Sequence, residues 1–372
     1  MSDPHPNGSA SSLRPAVILL NFGGPRNLAE VPSFLYEILR DPNTLQLPVP
    51  QWVQDRLARL VVRRRGPEVT RQYGEIGGRS PIVSATERIG NALREALARA
   101  GNPLPVFIAH RYLPGDAARA VAELLEAGVD SLLALPLYPH FSHATTGSAL
   151  QQLHDLLTRA GWEGELAALR SYPDAPGFME ALCDRVRATL AEAPPPPGET
   201  VVLCSAHGLP RSYVERGDPY RLELYATVSA LRRAFPAWRI ELSFQSRVGP
   251  AEWLQPYTDR ILPVYAAQGV KHVVFVPIAF VNDHIETLYE VGVTYAGQAR
   301  ALGMTPHRVP AVEDHPGLIA LLADAAGEWR AGRAGVPAIE LLPPDQGFAR
   351  VGRWALGLWL AALFAALLFA LR

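Results

Sequence analysis

The sequence predicts an α/β protein built from two similar open halves, each a largely parallel sheet covered by helices. Two observations carry this. Apolar runs of strand length at residues 16–22, 106–109, 131–138, 200–206, 241–244 and 272–280 alternate with helical stretches such as 84–100 and 116–127. That alternation is what parallel strands joined by crossover helices produce. The chain also repeats itself. AGVDSLLALPL at 127–137 follows the pattern of QGVKHVVFVPI at 268–278, and VILLNFGGP at 17–25 resembles VVLCSAHGLP at 201–210. The first match places His143 opposite His284, and the second places Phe22 opposite His207. The halves are expected at 14–170 and 171–335. Ligands of open parallel sheets lie outside the carboxyl ends of the strands, so two facing halves leave a central cleft there.

The ends read differently. Residues 1–13 are polar and rich in Pro, Gly and Ser, a disordered start without the basic and apolar regions of a secretory signal. Residues 336–350 read as a linker and 351–372 as a transmembrane anchor. Within the latter, Trp354 to Leu371 is 18 residues without charge or proline, about 27 Å as a helix. Arg350 and Arg353 flank one side and Arg372 the other, with Trp354 and Trp359 near one interface. A buried C-terminal core helix is the alternative, but such a helix usually keeps a polar stripe. The expected location is a cytoplasmic body attached to the cytoplasmic membrane.

Composition excludes several classes. A chain of 372 residues that is 48% hydrophobic has ample apolar surface for a core. Its net charge of −1 supplies no basic face for nucleic acid. Lys271 is the only lysine, at the start of an expected buried strand, which disfavours Schiff-base chemistry. Two cysteines, Cys183 and Cys204, are too few for a disulfide framework, a Cys₄ zinc site or a four-thiolate iron–sulfur cluster. Walker A, GxGxxG, GxSxG and HExxH motifs are absent from the sequence.

Two segments carry candidate chemistry. Ser205-Ala-His207-Gly-Leu-Pro210 follows an apolar run, and its Gly and Pro stop the strand so that His207 sits at an exposed turn. A histidine satisfied by local backbone is the alternative. Asn282-Asp-His-Ile-Glu-Thr287 packs Asp283, His284 and Glu286 into four residues at another strand end. Helix capping by Asn282 or Asp283 is the bland reading, with Asp283, Glu286 and Glu290 along one helical face. A carboxylate–imidazole site for a divalent cation or for proton transfer is the sharper one.

These residues lie in blocks that resemble the ferrochelatase family, whose members insert ferrous iron into a porphyrin. The blocks, in family order from about Leu19 to Val312, are Leu20-Asn-Phe-Gly-Gly-Pro25, Tyr73-Gly-Glu-Ile-Gly-Gly-Arg-Ser-Pro81 and Tyr138-Pro-His-Phe-Ser-His-Ala-Thr-Thr-Gly147. They continue through Ser205 to Pro210 with Gly217-Asp-Pro-Tyr220, Phe244-Gln-Ser-Arg-Val-Gly-Pro250 with Trp253, and Pro277 to Glu290. The resemblance implies two Rossmann-like, chelatase-type halves facing a central cleft. It implies Fe²⁺ insertion into protoporphyrin IX to give protohaem, the last step of haem biosynthesis, with release of two pyrrole protons. Both substrates are transient, and no permanently bound cofactor or iron–sulfur cluster is expected.

By the same resemblance His207 takes pyrrole protons or binds metal, with Glu286 as its partner ligand. Asp283 and His284 complete the catalytic group, orienting and tuning the pair, and Glu290 supports it. Phe22, Trp253 and Phe280 match the aromatic wall of the porphyrin pocket, and Phe22 stands where relatives carry Met or Tyr. Arg65, Ser80 and Ser246 match positions that contact propionates, while Tyr73, Arg111 and Tyr112 match residues near the site. Phe34, Leu35 and Leu39 resemble the apolar lip, or else ordinary core. Arg65, inside the run Arg63 to Arg65, has a solvated face as its alternative. Two departures stand out: His143 falls where cluster-bearing relatives have a cluster ligand, and Thr294 replaces a third carboxylate beyond Glu290. The rival readings are a chelatase for coproporphyrin or a cobalt–corrin precursor, and a non-catalytic tetrapyrrole or metal carrier. No nucleic-acid partner and no particular oligomeric state are implied.

Overall fold

The computed structural model describes residues 13–42, 49–192, 194–247, 251–332 and 339–342. Strands β1 (Pro15–Asn21), β2 (Val106–His110), β3 (Ser131–Pro136) and β4 (Glu165–Leu169) form a parallel sheet in the order β2-β1-β3-β4. Strands β5 (Thr200–His207), β6 (Arg239–Gln245), β7 (His272–Pro277) and β8 (Thr305–Arg308) form a second parallel sheet in the order β6-β5-β7-β8. The two orders are the same pattern, which is the structural form of the internal repeat. β1 corresponds to β5 and β3 to β7.

The central strands are apolar throughout because helices cover both faces. Ala16, Val17, Ile18 and Leu19 of β1 and Val273 to Val276 of β7 are fully buried. In the first half α1 (Val31–Arg40) and α2 (Gln51–Glu75) lie against each other at the lip. α3 (Ile82–Arg99), α4 (Asp116–Glu126) and α5 (Ser148–Arg159) flank the sheet. The pattern that predicts α3 is legible in its buried set, Ile82, Ala85, Ile89, Leu93 and Leu97, one face at helical spacing. In the second half α6 (Pro176–Glu192), α7 (Arg211–Glu215), α8 (Tyr220–Ala234), α9 (Thr258–Ala267) and α10 (Ala296–Ala301) accompany the sheet. α11 (Pro316–Arg330) then returns to pack on α6 and on α3 of the first half.

Both turns that follow the paired strands β3 and β7 run into π-helical segments, His143–Gly147 and Glu286–Tyr295. These are the segments that the repeat aligns, and π-helical turns concentrate at functional sites.

Several elements differ from expectation. β3 and β7 stop at Pro136 and Pro277, short of residues 138 and 280, since proline offers no N–H to continue the ladder. β4 and β8 have no counterpart in the apolar runs, being short and lying beside the edge or at it. Within the stretch read as a linker, β9 (Ile339–Leu342) forms an edge strand antiparallel to β4, with Leu166 opposite Leu342. A helix rather than a strand was expected from the bland reading of the turn after β7, and the helix that forms is π rather than α. Among the described residues no helix is long and apolar enough to cross a membrane. The hydrophobic run 354–371, the rest of the 351–372 segment and most of the 1–13 segment lie outside the described residues.

Candidate active site

β5 ends in His207, and the residue that follows must be glycine. A Cβ at Gly208 would stand 2.5 Å from the carbonyl oxygen of Ser246 and 2.9 Å from that of Gln245. This close approach lets His207 Nδ1 meet the Gly208 carbonyl at 2.6 Å. A carbonyl only accepts, so Nδ1 carries the hydrogen and the neutral ring keeps its lone pair on Nε2. Nε2 faces Glu286 Oε1 at 3.8 Å.

Glu286 is the first residue of the π-helical segment after β7. Its second oxygen lies 3.7 Å from Nε2 of His284. His284 Nδ1 donates to the Asn282 carbonyl at 3.2 Å, and its buried Nε2 has no hydrogen-bond partner among the described residues. Glu286 therefore has an open imidazole nitrogen near each oxygen, too far for a hydrogen bond. Gln245 Nε2 donates to Glu286 Oε2 at 3.2 Å and is itself held through its Oε1 by the Ser205 hydroxyl at 2.7 Å.

Electrostatics separate the two glutamates. Burial opposes the charge on Glu286, but attraction to His207 and His284 in their imidazolium forms, with the Gln245 amide, outweighs it and holds the carboxyl down to about 2. Burial and the Glu286 charge push Glu290 above the usual carboxylate range, against bonds from Ser246 and Tyr295. Ser246 gives Glu290 its backbone N–H at 3.0 Å and its hydroxyl, and Tyr295 OH donates at 3.1 Å. Ser246 does this with φ at +54°, a left-handed conformation that side chains other than glycine rarely adopt. Carboxyls with separated proton affinities divide the work of holding charge and holding a proton.

Asp283 is engaged by residues other than His207 and Glu286. Arg308 Nη1 donates to its Oδ1 at 2.8 Å and the Thr287 hydroxyl at 2.7 Å. Thr287 Oγ1 in turn accepts from the His284 backbone N–H at 3.0 Å. Asp283 thus ties Arg308 and Thr287 to the turn that presents His284 and Glu286.

An aromatic wall adjoins the pair. The Phe22 ring lies 4.6 Å from Tyr112, 6.0 Å from Phe34 and 6.4 Å from Phe280. Phe280 in turn tilts against His284 at 4.2 Å. Trp253 stands 6.3 Å from His207, edge to face. Tyr73 is buried beside Val31, Phe34 and Tyr112, and burial together with the Glu286 charge raises its hydroxyl well above the usual range. Phe34 is buried in this cluster, while Leu35 and Leu39 of the same helix are half-buried.

The residues expected near the site and the expected propionate contacts, Arg65, Ser80 and Ser246, divide. Arg111 is held at the first half's strand ends by buried Asp41, 2.9 Å from Nη2, and by Ser148, which accepts from Nε at 3.0 Å. Tyr112 OH donates to the same Asp41 at 2.7 Å. Ser80 is buried against Gly24, and its hydroxyl accepts weakly from Ile82 N at 3.4 Å. Ser246 is engaged with Glu290. Arg65 lies exposed on α2 and is not brought to the pair. Sequence reasoning missed Asp41, Asn21, Gln245 and Tyr295. Asn21 and Gln245 lie inside the quoted blocks beside residues it did select, whereas a lone Asp41 or Tyr295 carries no local signal.

Residues 14–328 match the family model described as Ferrochelatase. The chain belongs to the ferrochelatase family. It is an enzyme of the porphyrin metal chelatase class, a lyase. The ferrochelatase of Geobacter metallireducens is 38% identical over 314 residues, covering 84% of this chain and 98% of the relative. The ferrochelatase of Thermosynechococcus vestitus is 40% identical over 321 residues, covering 84% of this chain and 81% of the relative. Among solved structures, SirB from Bacillus subtilis with Fe³⁺ superposes with a TM-score of 0.50 at 10% identity, covering 86% of this chain and 97% of that one. At that identity the likeness concerns the fold alone, two parallel-sheet α/β halves. The blocks that hold Asn21, His207 and Gln245 fall at the ends of β1, β5 and β6, and the block that holds Glu286 follows β7.

Proposed function

We propose that this ferrochelatase inserts Fe²⁺ into protoporphyrin IX to give protohaem, the last step of haem biosynthesis. One observation carries the site: the open Nε2 of His207 faces a charged Glu286 across 3.8 Å, beside the Phe22–Phe280 wall. That gap suits a divalent cation or a proton in transit and is too wide for a direct hydrogen bond.

Insertion exchanges one Fe²⁺ for two pyrrole protons. His207 Nε2, a neutral imidazole nitrogen with its lone pair free, takes a pyrrole proton, and the resulting imidazolium is stabilised by Glu286. Glu290, whose carboxyl is raised, is the next acceptor along the same segment. Glu286 supplies a carboxylate for the incoming iron, with His284 held ready behind; in the alternative role His207 Nε2 binds the iron in place of the proton, since its one lone pair serves a single partner at a time. Phe22 offers no metal ligand and packs on the macrocycle with Phe280 and Trp253. Arg111, fixed by Asp41, carries a fork suited to a propionate, and Arg65, Ser80 and Ser246 are the remaining candidates for that contact. Iron is substrate throughout, and two cysteines, Cys183 and Cys204, are too few for a four-thiolate iron–sulfur cluster.

The segment 351–372 anchors the enzyme to the cytoplasmic membrane in this reading, supported by its uncharged run and flanking arginines. Anchoring places a poorly soluble porphyrin and its haem product beside the bilayer. The test is anaerobic turnover with Fe²⁺ and either protoporphyrin IX or coproporphyrin, followed by loss of porphyrin fluorescence and paired with sedimentation of liposome-mixed protein. Multiple turnovers with preference for protoporphyrin, and a chain ending at Arg350 that no longer sediments, are expected. Preference for coproporphyrin overturns the substrate assignment, porphyrin binding without turnover overturns catalysis, and continued sedimentation of the shortened chain overturns the anchor.

A further inference from the structure

We propose that His272 and His307 form an accessory site for one divalent transition cation, at the end of the second sheet remote from the catalytic pair. β7 and β8 run parallel with Val274 opposite His307 and His272 opposite Thr305, so both imidazoles stand on one face of the sheet. The rings stack with centroids 5.5 Å apart and planes 30° apart, and His272 Nδ1 lies 3.2 Å from His307 Nε2.

Two imidazole nitrogens bound to one cation at about 2.0–2.1 Å, at angles from square to tetrahedral, stand roughly 2.9–3.4 Å apart. The pair already has that bite. Its present occupant is a hydrogen that one neutral ring donates to the other. For a cation to replace it, the donor ring moves its hydrogen to its outer nitrogen, which leaves both inner lone pairs for the metal. No net proton is released and no redox step is involved. The outer nitrogens, His272 Nε2 and His307 Nδ1, make no hydrogen bond to a described residue, so the tautomer change breaks nothing else.

Both side chains are half-buried, which holds the rings in place while leaving an approach for a hydrated cation. The ammonium of neighbouring Lys271 is paired with Glu199 at 2.9 Å. Neutral imidazole suits copper, nickel, zinc and iron, with Cu²⁺ the tightest binder by the usual order. His272 is opposite Thr200, the first residue of β5, whereas His207 is its last. Seven residues of strand at about 3.3 Å each separate the two sites by roughly 23 Å, so this is not the substrate-iron site.

The test is binding of Ni²⁺ and of Cu²⁺ alone to the full chain, by calorimetry and by the nitrogen hyperfine pattern of the Cu²⁺ spectrum. His272→Asn and His307→Asn are compared with the native protein, the catalytic pair serving as an internal reference. The native chain is expected to bind one equivalent more than either variant, or to bind it at least tenfold more tightly, with a two-nitrogen Cu²⁺ pattern. Turnover of both variants within about twofold of native shows that they are folded; were one to misfold, His272→Gln takes its place. Equal stoichiometry and affinity in native protein and both variants overturns the proposal.

Discussion

Asn21, the last residue of β1, donates through Nδ2 to Oδ1 of Asn282 in the turn after β7 at 2.8 Å, so one buried hydrogen bond joins the strand ends of the two halves. The same amide donates to Thr86 Oγ1 at 2.8 Å, and its oxygen accepts from Phe22 N at 2.8 Å. One side chain therefore bonds Phe22 N of the first half and Asn282 in the turn that leads to His284 and Glu286 in the second.

Asn21→Ala strips partners from Asn282, Thr86 and Phe22 N in a buried site. We expect it to lower stability by about 1–3 kcal/mol, the cost of unsatisfied buried polar groups. Urea unfolding measures this, and an unchanged midpoint would separate Asn21 from the integrity of the cleft floor.

A second bridge crosses the halves at Asp218, in the Gly217-Asp-Pro-Tyr220 block. Its buried carboxylate accepts from the Ser142 hydroxyl at 3.0 Å and from His143 N at 2.9 Å, both in the first half. It also accepts from Tyr220 N at 3.0 Å, and Tyr220 OH donates to the His207 carbonyl at 3.2 Å. Asp218→Ala is expected to cost about 3 kcal/mol, since hydrogen bonds to a charged group contribute more than neutral ones. It should also lower kcat, because the His207 strand end loses its support. Asp218→Asn keeps acceptor geometry for part of the set and should recover most of both. Chemical denaturation alongside single-turnover kinetics distinguishes the two variants; equal loss in both would assign the effect to charge rather than to geometry.

His140 gives a pH prediction. Its ring is fully buried, Nε2 lies 2.7 Å from Thr227 Oγ1, and Nδ1 has no partner among the described residues. Thr227 spends its own hydroxyl hydrogen on the Pro173 carbonyl, so His140 must be the donor and stays neutral. Burial lowers the imidazole from 6.5 to about 3. The folded-state value is the depressed one, so the unfolded chain binds the proton first as pH falls. The stabilising effect is complete above about pH 6.5 and is lost progressively toward pH 3, at up to about 1.4 kcal/mol per pH unit. His140→Gln removes this one-proton dependence and should flatten the stability curve in that window. Unfolding free energies measured at pH 7, 5.5 and 4.5 test it, and the same slope in the variant would contradict the assignment.

Much of this was legible because parallel sheets repeat a simple rule. Buried central strands must be apolar on both faces, so β1, β5 and β7 stand out, and the residues at their carboxyl ends, Phe22, His207 and Glu286, are where chemistry is expected. What the residues did not announce was set by partners distant in sequence. Asp283 carries the chemistry of a catalytic carboxylate, yet Arg308 from β8 claims it. Arg111 matches a residue near the site, and its partner Asp41, 2.9 Å away and 70 residues earlier in the chain, leaves no mark in the local sequence. β8, with Pro306 and His307 in four residues, has no strand pattern because it lies at the sheet edge. The π-helical winding after β7 is equally invisible in the spacing of its residues.

The central claim is that the His207–Glu286 pair carries iron and protons during insertion. The most direct measurement is anaerobic turnover of protoporphyrin IX with Fe²⁺ by native protein, His207→Ala and Glu286→Gln, with porphyrin binding measured in parallel. The account predicts a fall of about 10²–10⁴-fold in kcat for each variant, the range of a lost acid–base or ligand group, with porphyrin affinity nearly unchanged. Turnover within a few-fold of native in His207→Ala would contradict it.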